Sequence, residues 1–178
     1  MHSINISERL IRIASYLPEG ANFADIGSDH AYLPSYVCRY DHNAFAIAGE
    51  VNEGPYSRAK DTIHTYGLKN QVEVRLGDGL HVLQMNEVKQ VVISGMGGAL
   101  IREILYNGMS KLHKTERIIV QPNTGARHIR KFLVENNYAI TNEELIEENG
   151  QVYEIIIADK NNHINPLGEK NFYSVRYY

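Results

Sequence analysis

The chain has 178 residues, 43% of them apolar and 22% charged, with a formal net charge of −3. That length suits one domain and that apolar content can fill a core, which excludes a disordered chain. The apolar runs are of strand length, far below the ~20 residues of a membrane span. The start, M-H-S-I-N-I-S-E-R, shows no signal peptide, and the single cysteine, Cys38, excludes an internal disulfide and a cysteine-based zinc cluster. A soluble, cytoplasmic protein is expected.

Residues 4–17 place Leu10, Ile13, Ala14 and Leu17 on one helical face with Ser7 as N-cap, and Pro18-Glu19-Gly20 ends the pattern. Residues 22–26 read as a buried strand, 31–39 as a helix, and 44–49 as a second strand ending at Glu50. A helix over 55–66 has Pro55 in its first turn and Gly67 at its end. Strands follow over 72–76, 90–94 and 117–121. A helix after Gly95-Met96-Gly97-Gly98 runs through about Tyr106, and another covers 126–136. Two extended stretches, 138–147 and 151–158, are joined by Glu148-Asn149-Gly150, a strong hairpin signal. This alternation predicts an α/β fold: an open, mostly parallel sheet with helices on both faces and a C-terminal antiparallel hairpin. Residues 1–160 form the domain, with an N-terminal helical segment over 1–20. Residues 161–178 read as a linker or tail.

In such a sheet, ligands bind at the carboxyl ends of the strands. Those ends carry Asp25-Ile26-Gly27-Ser28-Asp29-His30, then Glu50-Val51-Asn52, Gly77-Asp78-Gly79-Leu80, Ser94-Gly95-Met96-Gly97 and Gln121-Pro122-Asn123. Gly27 permits close backbone approach. Glu50 suits a ribose diol, because a carboxylate only accepts and has two oxygens. Asp78 can accept from an adenine amine, and Val51 and Leu80 can sandwich the purine. A dinucleotide would need G-x-G-x-x-G, but the positions two and five after Gly27 are Asp29 and Tyr32. An acid there repels a pyrophosphate and favours a cationic ligand. S-adenosylmethionine, with its ammonium and sulfonium, fits Asp25 and Asp29. The plain alternative is that these acids cap the following helix.

The ordered set D-I-G-S-D-H-A-Y-L-P (25–34), G-E-V-N-E-G-P-Y (49–56), G-D-G-L (77–80), I-S-G-M-G-G-x-L-I (93–101) and Q-P-N-T (121–124) resembles the bacterial tRNA (adenine22-N1)-methyltransferase family. The resemblance covers roughly residues 4–158. It implies a Rossmann-like class I methyltransferase that uses S-adenosylmethionine on tRNA, with cofactor contacts at Asp25, Gly27, His30, Glu50, Val51, Asp78, Gly79, Gly95 and Met96. The family carries a C-terminal helical domain. No heptad pattern follows residue 160 here, so that domain is expected to be absent.

Adenine N1 has an in-plane lone pair and needs no prior deprotonation, so positioning and a favourable field can carry catalysis. Asp29 is the first candidate, to stabilise the developing cation. Tyr32 and His30 are candidates to stack on or hydrogen-bond an extruded base, and Asn123 to bond a base edge. For the phosphates, Arg9 and Arg12 share a helix face, and Arg127, Arg130 and Lys131 follow the fifth strand. Residues 58–131 carry 12 basic and 6 acidic side chains, so a basic face is possible within an acidic chain. The eight histidines show no metal-ligand spacing, and no metal is expected. Two other readings stay open: a methyltransferase for a small molecule or protein, and a catalytically silent cofactor- or tRNA-binding module. Oligomeric state is not legible.

Overall fold

Short runs of Val, Ile, Ala and Phe that are apolar at consecutive positions form strands covered on both faces. The computed structural model describes residues 4–162, and these build seven strands and five helices. The strands are β1 (Asn22–Ile26), β2 (Phe45–Glu50), β3 (Val72–Leu76), β4 (Gln90–Met96), β5 (Arg117–Pro122), β6 (Tyr138–Glu148) and β7 (Gln151–Lys160). The helices are α1 (Glu8–Ser15), α2 (Tyr32–Tyr40), α3 (Glu53–Thr65), α4 (Gly98–Gly108) and α5 (Ala126–Glu135). The sheet order is β3-β2-β1-β4-β5-β7-β6. The first five strands are parallel, and β7 runs antiparallel between β5 and β6.

The period-two alternation sorts side chains into two cores. Phe23, Val92, Ile119 and Ile157 face α1, α2 and α3 with Ile13, Leu33, Cys38 and Ile63. Ala24, Ile93, Ile118, Val120 and Ile156 face α4 and α5 with Ile101, Leu105, Ile129 and Leu133. Cys38 is a buried free thiol in the first core.

The predicted elements are present, with shifted ends. The helix expected over 4–17 is helical only over Glu8–Ser15, with Ser7 accepting from the Leu10 N–H at 3.3 Å. Ile4 is nonetheless buried in the core. The hairpin turn is as expected: Asn149 (φ 53°) and Gly150 (φ 74°) both take the left-handed backbone of a tight turn. Two short 3-10 turns, Gly79–Val82 and Met109–Lys111, were not predicted. The proposed tail lies mostly outside the described residues.

Candidate cofactor and active site

The strand order reverses between β1 and β4, and in open α/β sheets the ligand crevice lies outside the carboxyl ends of the strands at such a switch point. The end of β1 turns sharply at Gly27 (φ 70°), whose N–H bonds the Gly49 carbonyl of β2 at 2.9 Å; the Ser28 N–H reaches the same oxygen at 3.3 Å. Asp29, His30 and Ala31 then take φ of 39°, 64° and 56°. Left-handed backbone costs a non-glycine residue ~1–2 kcal/mol, and three in a row is strain of the kind that clusters at functional sites. This turn makes Ala31 the N-terminal boundary of α2, with no side-chain cap. Asp25 and Asp29 therefore do not cap the helix, and the plain alternative fails. The turn instead leaves the Asp29 carboxylate exposed, 3.5 Å from His30 Nε2, and stacks the His30 ring on Tyr32 with centroids 5.1 Å apart and planes at 11°.

Two buried acids stand at the carboxyl ends of β1 and β2. Asp25 is 3% exposed and accepts from Ser28 Oγ at 2.7 Å. Burial pushes its pKa up to about 7, with nearby Glu50 adding to the rise and the Ser28 bond and Arg9 guanidinium opposing it. Glu50 is 5% exposed, and burial raises its pKa too, opposed by a hydrogen bond from the Asp29 backbone. Its Oε1 is buried and has no hydrogen-bond partner. A buried acceptor left without a partner is costly.

Asp78 is exposed at the end of β3, before Gly79 (φ 51°). Leu80 departs from expectation. It is 1% exposed and fills a notch at Gly108 of α4, where an added Cβ would come within 2.3 Å of Leu80 Cβ. Leu80 is therefore core and does not sandwich a purine; Val51, 59% exposed, is the apolar side chain beside Glu50. Lys111 fixes the turn that follows Asp78, donating from Nζ to the carbonyls of Leu80, His81 and Leu83 at 3.3, 3.2 and 2.6 Å.

At the end of β4, Gly95 (φ 75°) forms a bulge against β5. Met96 folds back so that a Cβ on Gly27 would lie 2.0 Å from its Cε. The Asn123 N–H bonds the Met96 carbonyl at 2.8 Å, and its side-chain oxygen accepts from Gln121 Nε2 at 3.1 Å. Asn123 itself is exposed beside the crevice. Thus Asp25, Gly27, Asp29, His30, Glu50, Gly95 and Met96 converge on the β1–β4 crevice and its rim. Ser28 hydrogen-bonds Asp25, and Gln121 hydrogen-bonds Gly95 and Asn123; neither was singled out from the sequence. Ser28 had one signal, a hydroxyl three residues after a buried acid.

The basic candidates divide. Arg9 donates to Gln121, Arg12 Nε lies 3.0 Å from Glu144, and Arg130 pairs with Glu143 and Glu154. The acidic β6–β7 hairpin thus neutralises part of the basic segment. Lys131 is exposed and its Nζ lies 3.8 Å from Glu135. Arg127 is exposed at the start of α5 and makes no ion pair among the described residues. Among those residues, no group of three or more His, Cys, Asp or Glu could hold a metal, and no helix is long and apolar enough to cross a membrane.

A parallel sheet with an antiparallel β7 inserted beside β5, and acids at the first turn, defines a Rossmann-like methyltransferase domain. Residues 6–156 match the family model described as a methyltransferase domain. The chain is 46% identical over 159 residues to the tRNA (adenine(22)-N(1))-methyltransferase of Bacillus subtilis, covering 89% of this chain and 67% of that protein. The crystal structure of the B. subtilis M1A22 tRNA methyltransferase superposes with a TM-score of 0.85, covering 89% of this chain and 68% of that one. A Streptococcus pneumoniae protein solved in complex with S-adenosyl-L-methionine is 41% identical with a TM-score of 0.85, covering 88% of this chain and 74% of that one. This chain belongs to the tRNA (adenine(22)-N(1))-methyltransferase family. It spans about two-thirds of the length of its curated relatives: 67% of the B. subtilis protein and 61% of a Mycoplasma genitalium one.

Proposed function

We propose that this chain transfers a methyl group from S-adenosylmethionine to N1 of an adenine in tRNA. The observation that carries the reading is Glu50: a buried carboxylate with an unpartnered oxygen at the β1–β4 crevice, next to buried Asp25, in a chain 46% identical to a tRNA adenine-N1 methyltransferase. The residues present fit the cofactor. Glu50 would take the ribose hydroxyls, Asp25 the ammonium, and Asp78 the adenine amine, with Val51 against the ring and the backbone of Gly27, Gly79, Gly95 and Met96 beside it. Bound there, S-adenosylmethionine supplies an electrophilic methyl group on sulfur.

The remaining work falls to this chain's side chains. Asp29, exposed above the crevice, places a negative charge where the methylated adenine becomes cationic. The stacked His30–Tyr32 pair offers an aromatic platform for an extruded base. Asn123 keeps its oxygen on Gln121, which leaves its amide N–H groups to donate to a base edge. None of these roles needs a strong general base, in keeping with an acceptor nitrogen that already has a free lone pair. Arg127 and Lys131 are the basic side chains best placed to meet phosphate. A tRNA substrate puts the reaction in the cytoplasm.

The test is incubation with methyl-labelled S-adenosylmethionine and total tRNA, followed by nucleoside analysis. Labelled 1-methyladenosine is the expected product. Labelling of a small molecule or protein instead would favour the second reading. Cofactor binding without transfer to any acceptor would favour a silent binding module.

A further inference from the structure

Arg9 shares the α1 face of Arg12, yet its surroundings are unlike those of a phosphate contact. Its guanidinium is mostly buried and lies 4.9 Å from the centre of the Tyr153 ring on β7. Nε is 3.9 Å from Glu148 Oε2, and the Arg9 backbone N–H reaches Glu148 Oε1 at 3.4 Å. Nη1 donates to Gln121 Oε1 at 2.6 Å. That same oxygen accepts the Gly95 N–H at 3.0 Å. The Gln121 amide nitrogen donates to Asn123 Oδ1 at 3.1 Å.

One fully buried glutamine therefore ties three things together: the N-terminal helix, the glycine bulge at the end of β4, and the asparagine beside the crevice. The orientation of its amide follows from the partners. Arg9 and Gly95 can only donate, so the oxygen must face them and the nitrogen must face Asn123. Gly95 has left-handed backbone and sits where the β4–β5 register slips, so the ladder does not hold it. The Gln121 oxygen does, and Arg9 holds Gln121.

We infer that Arg9 is a positioning residue: through Gln121 it sets the Ser94–Gly97 turn and Asn123 for cofactor and base, and it does not contact RNA. The inference rests on the proposed cofactor site. It extends that reading to a residue on a separate helix, 112 positions from Gln121 in the chain.

Three measurements on the full chain test it: amide hydrogen exchange at Gly95 in the cofactor-free protein, calorimetric affinity for S-adenosylmethionine, and the salt dependence of tRNA binding. The variants are Arg9→Met, Gln121→Met and the double variant. Gln121→Met keeps the Arg9 contacts to Glu148 and Tyr153, so it isolates the network from the anchoring of α1. Each single variant should speed Gly95 exchange and weaken cofactor binding about tenfold, the size expected for a hydrogen bond to a charged group. The double variant should be no worse than the worse single one, as for residues in one network. The tRNA salt slope should stay as in the parent protein. Unchanged Gly95 exchange in Gln121→Met, fully additive losses, or a salt slope reduced by about one in Arg9→Met would each overturn the inference. A parent protein that fails to bind S-adenosylmethionine would sink the proposed function instead, while Gly95 exchange would still test the network.

Discussion

The Met96 side chain lies directly over Gly27: a Cβ built on that glycine would sit 2.0 Å from Met96 Cε. The first turn after β1 and the turn after β4 are thus in contact across the crevice. Gly27 also holds φ at 70°, which an L side chain rarely adopts. Methionine can swing aside, so the backbone sets the larger part of the cost. Gly27→Ala should lower stability by about 1–2 kcal/mol, read from urea unfolding, and should also weaken S-adenosylmethionine binding by narrowing the turn.

Asp25 gives a pH signature. Its folded pKa of about 7 lies well above the ordinary carboxylate value of 3.8, so between those values the folded state holds a proton that the unfolded state releases. Stability from this group is therefore present at low pH and lost as pH rises toward 7. Cofactor affinity should move the other way, because only the ionised carboxylate attracts an ammonium. Calorimetry across pH 5.5 to 7.5, where the cofactor's amino group stays protonated, should show binding strengthening as pH rises through about 7. Asp25→Asn should bind weakly and flatten that profile; a profile unchanged by the substitution would remove Asp25 from the ammonium site.

Glu50 and Asp78 should behave as direct cofactor contacts. Glu50→Ala and Asp78→Ala are each expected to lose on the order of 1.5–3 kcal/mol of binding. Glu50→Gln should lose less than Glu50→Ala, since an amide oxygen still accepts one hydroxyl. Equal affinity for all these variants and the parent would displace the adenosine site from the ends of β2 and β3.

Arg127 separates phosphate contact from chemistry. Arg127→Ala should leave cofactor affinity unchanged and reduce the log–log salt slope of tRNA binding by about 0.7–0.9. An unaltered slope would take Arg127 off the tRNA surface.

Tyr32 tests the base platform. Tyr32→Phe keeps the ring stacked on His30 and should retain most activity. Tyr32→Ala should cost about 1–3 kcal/mol in kcat/KM for tRNA, the usual worth of one base–aromatic stack, with little change in cofactor affinity. Equal activity of the alanine variant would place the target base elsewhere.

By itself the sequence determined the order of elements and the residues at the strand ends. A run such as N-F-A-D-I or R-I-I-V-Q is apolar at consecutive positions, which marks a strand covered on both faces, and Asn149-Gly150 allows little but a tight turn. Acids and glycines at strand ends are legible because the parallel sheet puts all those ends on one side. Tertiary structure alone decided which way Leu80 and Arg9 turn. Leu80 followed an exposed acid and looked available to a ligand, but Gly108, 28 positions later, leaves the space that buries it. Arg9 and Arg130 looked like free charges on amphipathic helices; Gln121 and the acidic hairpin claim them from distant parts of the chain. Local pattern reports propensity and burial within one element. Charge pairing and packing across elements depend on which distant groups the sheet order brings near, and that order is a property of the whole fold.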